Sequence, residues 1–254
     1  MLILFDIGNT NITVGIADLE KIKHVYRLKT QINKTADEYF ISLRQMINCS
    51  HVKGIIISSV VPEVTAIIKE LSITHFGIEP IVVGQGVKTG IQIKCDNPKE
   101  VGADLIADCV GAKEYYGRDC LIIDLGTANK YLYFENNAFC GCVIAPGVNV
   151  SIKALVDNAA LLPKIDLKIP PKILGTNTIL CMQSGFAYGA IIEVEGFIKK
   201  IKEEVNNPDL LVIATGGLAN LIIPKCNCNI IMDENLILKG LLTIYKKNVD
   251  TAKL

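Results

Sequence analysis

Apolar runs of strand length recur along the chain, at residues 2–5, 12–17, 54–58, 81–83, 121–123 and 211–214. Between them lie longer stretches with helical patterning, at 36–46, 64–71 and 187–204. Strands alternating with helices predict an α/β fold with a mixed sheet. No low-complexity segment interrupts this pattern, and the proline-rich stretch 162–171 predicts a connecting loop.

An internal echo carries more information than any single element. Residues 1–11 read MLILFDIGNTN, and 121–129 read LIIDLGTAN. Each is a strand ending in Asp, followed by an apolar residue, a glycine and small polar residues. Asp6 and Asp124 therefore open corresponding turns in two halves of the chain. A third strand, 211–214, runs into the small-residue turn TGGLAN at 215–220. Two such halves facing each other form a cleft, and strand-end loops are where α/β proteins bind ligands.

A glycine in such a turn lets backbone N–H groups approach a phosphate with no side chain in the way. The Thr10 and Thr127 hydroxyls add donors. Asp6 and Asp124 repel phosphate, so their role beside one is to hold a cation or its bound water. One D-x-G turn alone is explained by Asx-type turn geometry. Two matched turns plus TGG after a third strand point to nucleotide binding. The chain has no G-x-x-x-x-G-K-[ST], no G-x-G-x-x-G after a strand and no G-x-S-x-G. P-loop, dinucleotide-binding and α/β-hydrolase readings lose their motifs.

Phosphoryl transfer also needs a group that orients or deprotonates the attacking hydroxyl. The segment PKEVGADLIAD at 98–108 offers Asp104, preceded by the small residues Gly102 and Ala103, at the start of a helix running through Ala112. Asp104 can equally stabilise the helix start as a cap or first-turn residue, and the residues themselves leave both roles open.

Composition narrows the class. The chain has 254 residues, half of them apolar, enough for two compact domains. Lys plus Arg and Asp plus Glu both total 26, which gives no bulk field for nucleic acid or a membrane surface. No apolar run approaches the ~20 residues a membrane helix needs. The first residues lack a basic leader segment and run straight into a strand, which reads as mature protein. Nine cysteines are scattered, with two C-x-C pairs and no C-x-x-C. The three histidines lie far from either pair, so reduced, mostly buried thiols in a reducing compartment are favoured over a zinc site.

The blocks DIGNTN, SSVVPE, TG, NPKEVGAD, DLGTA, GCVIAPG, GTNT, MQSG and ATGG, in that order, resemble type III pantothenate kinase along nearly the whole chain. The resemblance implies an actin-like (ASKHA) fold of two RNase-H-like domains, with mixed sheets facing a central cleft. Their expected extents are 1–115 and 116–254. It implies a cytoplasmic homodimer that phosphorylates pantothenate with ATP, using a divalent metal such as magnesium and a monovalent cation, potassium or ammonium. By motif, residues 6–13 become the first ATP loop, with Asp6, Gly8, Asn9, Thr10 and Asn11 at the nucleotide and Asp6 also at metal. Asp104 becomes the general base, with Gly102, Ala103 and Leu105 beside it at the acceptor. Asp124 ligates the monovalent cation, Thr127 and Gly216 contact ATP, and Thr178 contacts pantothenate.

Several positions depart from the family pattern, mostly on the acceptor side. Leu105 stands where the family has an Arg that helps bind pantothenate, and Cys95 where a Tyr is frequent. The second loop reads GTANK instead of GTATT, which puts Asn129 and Lys130 in place of two threonines. Asp108 replaces an Asn, and Asn158 a basic residue. These departures set up two alternatives: a kinase with altered acceptor specificity, and a non-catalytic nucleotide-binding regulator. Lys130 is also one candidate to replace the missing guanidinium.

Overall fold

The structure is a computed structural model and describes residues 1–249. In chain order the first elements are β1 (Leu2–Ile7), β2 (Asn11–Ala17), β3 (Ile22–Lys29), α1 (Ala36–Arg44), β4 (Gly54–Ser59) and α2 (Pro62–Phe76). Next come β5 (Ile81–Val82), β6 (Gln92–Ile93), α3 (Ala103–Tyr116), β7 (Cys120–Leu125), β8 (Ala128–Glu135) and β9 (Ala138–Pro146). The chain continues through α4 (Val148–Asn158), α5 (Thr178–Glu204), β10 (Leu211–Thr215), α6 (Ala219–Ile222), β11 (Ile231–Met232) and α7 (Leu236–Asn248).

The contacts divide into two compact units. Among the described residues the first holds Met1–Gly117, Asn137–Phe139 and Asn235–Val249; the second holds Arg118–Asn136 and Cys140–Glu234. In the first unit the strand order is β3-β2-β1-β4-β5, with β1 antiparallel to β2 and parallel to β4. In the second it is β9-β8-β7-β10-β11, with β7 antiparallel to β8 and parallel to β10. The echo in the sequence is thus an echo in topology, with β1 corresponding to β7 and β4 to β10. Mixed sheets with helices make the chain α/β.

Local chemistry explains the element ends. Thr35 and Glu38 form a capping box at the start of α1. Pro62 opens α2, and Gly77 closes it at φ 65°. Asn177 accepts from the Leu180 amide at 2.9 Å and starts α5, nine residues before the expected 187. Gly185, which weakens the helical pattern of that first stretch, lies inside the helix. The 162–171 segment has no regular structure, in line with its prolines. Asn136 and Asn137, both at positive φ, make the two-residue turn between β8 and β9.

The central strands are buried on both faces, and their alternation sorts side chains between two cores. In the first unit Ile3, Phe5 and Ile7 pack with Tyr39, Leu43, Val64 and Ile68 of α1 and α2. Leu2 and Leu4 pack on the other face, with Ile106 and Val110 of α3 and Leu238 and Leu241 of α7. The two helices of that face meet backbone to backbone: a Cβ on Gly240 would lie 1.8 Å from the Ala107 carbonyl oxygen. The last described helix therefore completes the first unit, not the second. In the second unit Leu121, Ile123 and Leu125 share a core with Ala190, Ile191, Val194 and Ile198 of α5.

All nine cysteines are free. Cys109 and Cys120 are buried, Cys181 is exposed and six are half-buried, so the expectation of mostly buried thiols is corrected: six of the nine keep an edge in solvent. Among the described residues no group of three or more His, Cys, Asp and Glu could hold a metal ion. None of the described helices is long and apolar enough to cross a membrane.

Candidate active site

In the first unit Asp6 and helix α3 share one face of the sheet. Leu2 and Leu4 point toward α3, so Asp6, the next residue in that alternation, takes the α3 face at the end of β1. It lies opposite Thr13 of β2 and Ser58 of β4. The loop that follows is tight: the Gly8 amide donates to the Asn11 carbonyl at 3.0 Å. Asn9, Thr10 and Asn11 are exposed. Thr30, just beyond β3, holds the loop from behind. Its hydroxyl donates to the Gly8 carbonyl at 2.6 Å and its amide to the Thr10 carbonyl at 3.0 Å. Thr30 carried no motif; only the β2–β3 register places it there.

Asp104 stands in the first turn of α3. Gly102, the N-cap residue, has no side-chain capping bond. The Asp104 carboxylate fills the space its missing Cβ leaves, since a Cβ on Gly102 would lie 2.4 Å from Oδ1. The same oxygen accepts from the Leu105 amide at 2.9 Å. A carboxylate in a helix's first turn suits the positive end of the helix dipole. Ala103 is half-buried, and Leu105 turns inward at 8% exposure. Leu105 therefore supplies packing and no hydrogen-bond donor from its side chain.

In the second unit, Leu121, Ile123 and Leu125 face α5, so Asp124 lies on the opposite face of the sheet. Its cross-strand neighbour is Lys130 of β8. The Lys130 ammonium donates to Asp124 Oδ2 at 2.6 Å, and the two side chains are 16% and 17% exposed. On the α5 face, Glu193 Oε1 accepts from Asn129 at 2.9 Å and from the Tyr131 hydroxyl at 2.8 Å. Burial first, then the Glu193 bond, pushes the Tyr131 phenol well above its ordinary range, so it remains a protonated donor. Both substituted threonine positions of the second loop are thus tied into β8: Asn129 to α5 and Lys130 to Asp124.

Thr127, at the tip of this loop, is exposed, and its carbonyl accepts from the Gly147 amide at 3.1 Å. The TGG turn after β10 closes against the same strand end. Gly216 has φ +96°, and a Cβ there would lie 2.5 Å from Asp124 Oδ1 and 2.5 Å from the Leu125 nitrogen. Only glycine meets both conditions. Thr178 is the first residue of α5 and is exposed, beside a shallow hollow lined by Leu161, Pro163, Asn177 and Ile179.

The Gly216 contact generates a direct test. Gly216→Ala would press a methyl group on Asp124 at a backbone angle costing of order 1–3 kcal/mol in a non-glycine residue. ATP affinity, measured by calorimetric titration, is expected to fall about tenfold or more, a change of ~1.4 kcal/mol or greater. A folded variant with parental ATP affinity would contradict the expectation that Gly216 contacts ATP.

Residues 2–200 match the family model for type III pantothenate kinase. The type III pantothenate kinase of Acholeplasma laidlawii is 48% identical over 249 residues, covering 98% of this chain and all of that protein. That of Geobacillus sp. (strain WCH70) is 43% identical over 256 residues, covering 98% and 99%. Among solved structures, a protein described as a Baf family transcriptional activator from Campylobacter jejuni superposes with a TM-score of 0.61 at 19% identity, covering 97% of this chain and 98% of that one. A Sinorhizobium meliloti protein described as a 2-dehydro-3-deoxygalactonokinase gives 0.57 at 12% identity, covering 97% and 96%. These likenesses carry the fold alone, and the fold is actin-like. With the strand-end loops in place and the match running along the whole chain, the protein belongs to the type III pantothenate kinase family.

Proposed function

We propose that this protein transfers the γ-phosphoryl group of ATP to the hydroxyl of pantothenate, giving 4′-phosphopantothenate, the first step of coenzyme A synthesis. The observation that carries the reading is the shared face of the first unit's sheet. Asp6 and its glycine loop lie at the end of β1 on the side packed by α3, and α3 carries Asp104 in its first turn. A phosphate loop and a carboxylate base on one face are what transfer to an alcohol requires. Asp104 takes the proton of the attacking hydroxyl as the oxygen–phosphorus bond forms and the bond to ADP breaks. In the first unit the exposed loop at Asn9 and Thr10 is the proposed phosphate contact, and in the second unit Thr127 and Gly216 are the proposed ATP contacts.

A divalent ion fits this donor set only as a partner of ATP. The described residues form no cluster of three or more ligating side chains. Asp6 is the carboxylate that would hold magnesium, directly or through water, while the phosphates and waters complete its shell. When bound, the ion offsets charge on the transferring phosphoryl group. A monovalent cation at Asp124 does not fit in the same way, because Lys130 already donates to that carboxylate.

Leu105 gives the pantothenate carboxylate no donor, so the acceptor relies on other groups for that charge. The altered-acceptor and regulatory alternatives have no observation in their favour. The proposed enzyme is cytoplasmic, which nine unbridged cysteines suit. It is also a homodimer, with Leu161 and Leu174, 94% and 83% exposed, as apolar surface available for a subunit contact.

Asp104→Asn tests the chemical step. The variant is expected to keep its fold and ATP affinity while turnover falls by roughly 10²–10⁴-fold, the span of positioned proton transfer. Retention of most of the rate would reduce Asp104 to a helix-start residue. For the assembly, light scattering at micromolar concentration is expected to report about twice the 27.7 kDa of one chain, and a particle of one chain's mass would refute the dimer.

A further inference from the structure

The second loop holds an ion pair where the family resemblance implies an added cation. Asp124 and Lys130 are directly opposed across β7 and β8, on the face away from α5. The pair is short, 2.6 Å from Nζ to Oδ2, and mostly withdrawn from water on both sides. Its position is set by the backbone: the register of the hairpin fixes Lys130 beside Asp124, and Asn129 is locked on the other face by Glu193. The Lys130 stem therefore has little freedom to leave the loop.

We propose that the Lys130 ammonium is this chain's own monovalent cation. Bonded to Asp124, it supplies the single positive charge beside the nucleotide loop and makes the reaction independent of added potassium or ammonium. A carboxylate with one potassium or ammonium ion and a carboxylate with one lysine have the same net charge. The lysine head group is itself an ammonium with three donors. Tethering it to β8 keeps it at the site whatever the salt composition, as a linked group is held at high effective concentration. A second cation brought to Asp124 would meet Lys130 at hydrogen-bond distance and be repelled. The inference rests on the proposed kinase reading only for its rate measurement; nucleotide binding tests it separately.

The experiment compares the parent, Lys130→Thr and Lys130→Arg in buffers whose only monovalent cation is potassium, ammonium or choline, with magnesium and nucleotide constant. Two quantities are read: the rate of ADP release with pantothenate, and the dissociation constant of ATP measured without pantothenate. The parent is expected to agree across the three buffers within about twofold. Lys130→Thr is expected to lose about ten- to a hundredfold in choline, the scale of one hydrogen bond to a charged group, and to regain most of it in potassium or ammonium. Lys130→Arg, which keeps the charge, is expected to stay indifferent to the cation. Tenfold or greater activation of the parent by potassium would overturn the proposal, and so would a Lys130→Thr variant that is fully active in choline. If Lys130→Thr does not fold, the thallium-205 line width in the presence of parent and ATP decides. No broadening beyond that of a protein-free control supports the proposal, and saturable broadening overturns it. Should no form phosphorylate pantothenate while ATP affinity follows the expected cation pattern, the acceptor assignment falls and the lysine assignment stands.

Discussion

A β-strand sends alternate side chains to opposite faces, and two strands of this chain use that rule to deliver a carboxylate to a chosen side. β1 spends its odd residues on the core with α1 and α2, and β7 spends its odd residues on the core with α5. Asp6 and Asp124 fall on the remaining face in each case, at the last turn of a strand held on both sides by neighbours. A shift of one residue in either register would bury the carboxylate among isoleucines and turn the apolar side chains outward. The loop glycines, the Thr30 clamp and the Gly216 contact all presuppose that placement. Site and core are therefore specified by the same pairing, and the site cannot be repositioned without repacking the sheet.

This dependence explains what could be read from the amino acids alone. The buried central strands are continuous apolar runs, and β1, β2, β4, β7 and β10 were legible for that reason. Their Asp-Gly ends were legible because few residue types permit such a turn. Edge strand β3 reads IKHVYRLK, with most of its side chains in solvent, and carries no comparable signal. Thr30 follows from β3 and was hidden with it. Helix α7 was not among the expected helices, and its place in the first unit depends on the Gly240 and Ala107 backbones meeting, a contact separated by more than a hundred residues. The start of α5 was obscured by Gly185, which the helix tolerates on an exposed position.

The substituted second loop shows the limit most clearly. GTANK marks a departure from the family pattern, yet linear order leaves the direction of Lys130 open: toward a phosphate, toward the acceptor or toward Asp124. Only the hairpin register decides, by placing residue 130 across from residue 124. Glu193 was likewise invisible, since it lies more than sixty residues from the two side chains it anchors. Long-range partners of this kind need the fold before they can be named, whereas strand ends and helix starts do not.

Phosphoryl transfer to pantothenate is carried here by a chain with Leu105 where the family pattern has a guanidinium. Phosphorus-31 spectroscopy of the products, with pantothenate and its carboxylate-free alcohol analogue offered together at equal concentration alongside ATP and magnesium, tests that claim most directly. The account predicts a phosphomonoester of pantothenate as the main product, accompanied by stoichiometric ADP. Phosphorylation of the alcohol analogue in preference, or ATP bound with neither compound phosphorylated, would contradict it.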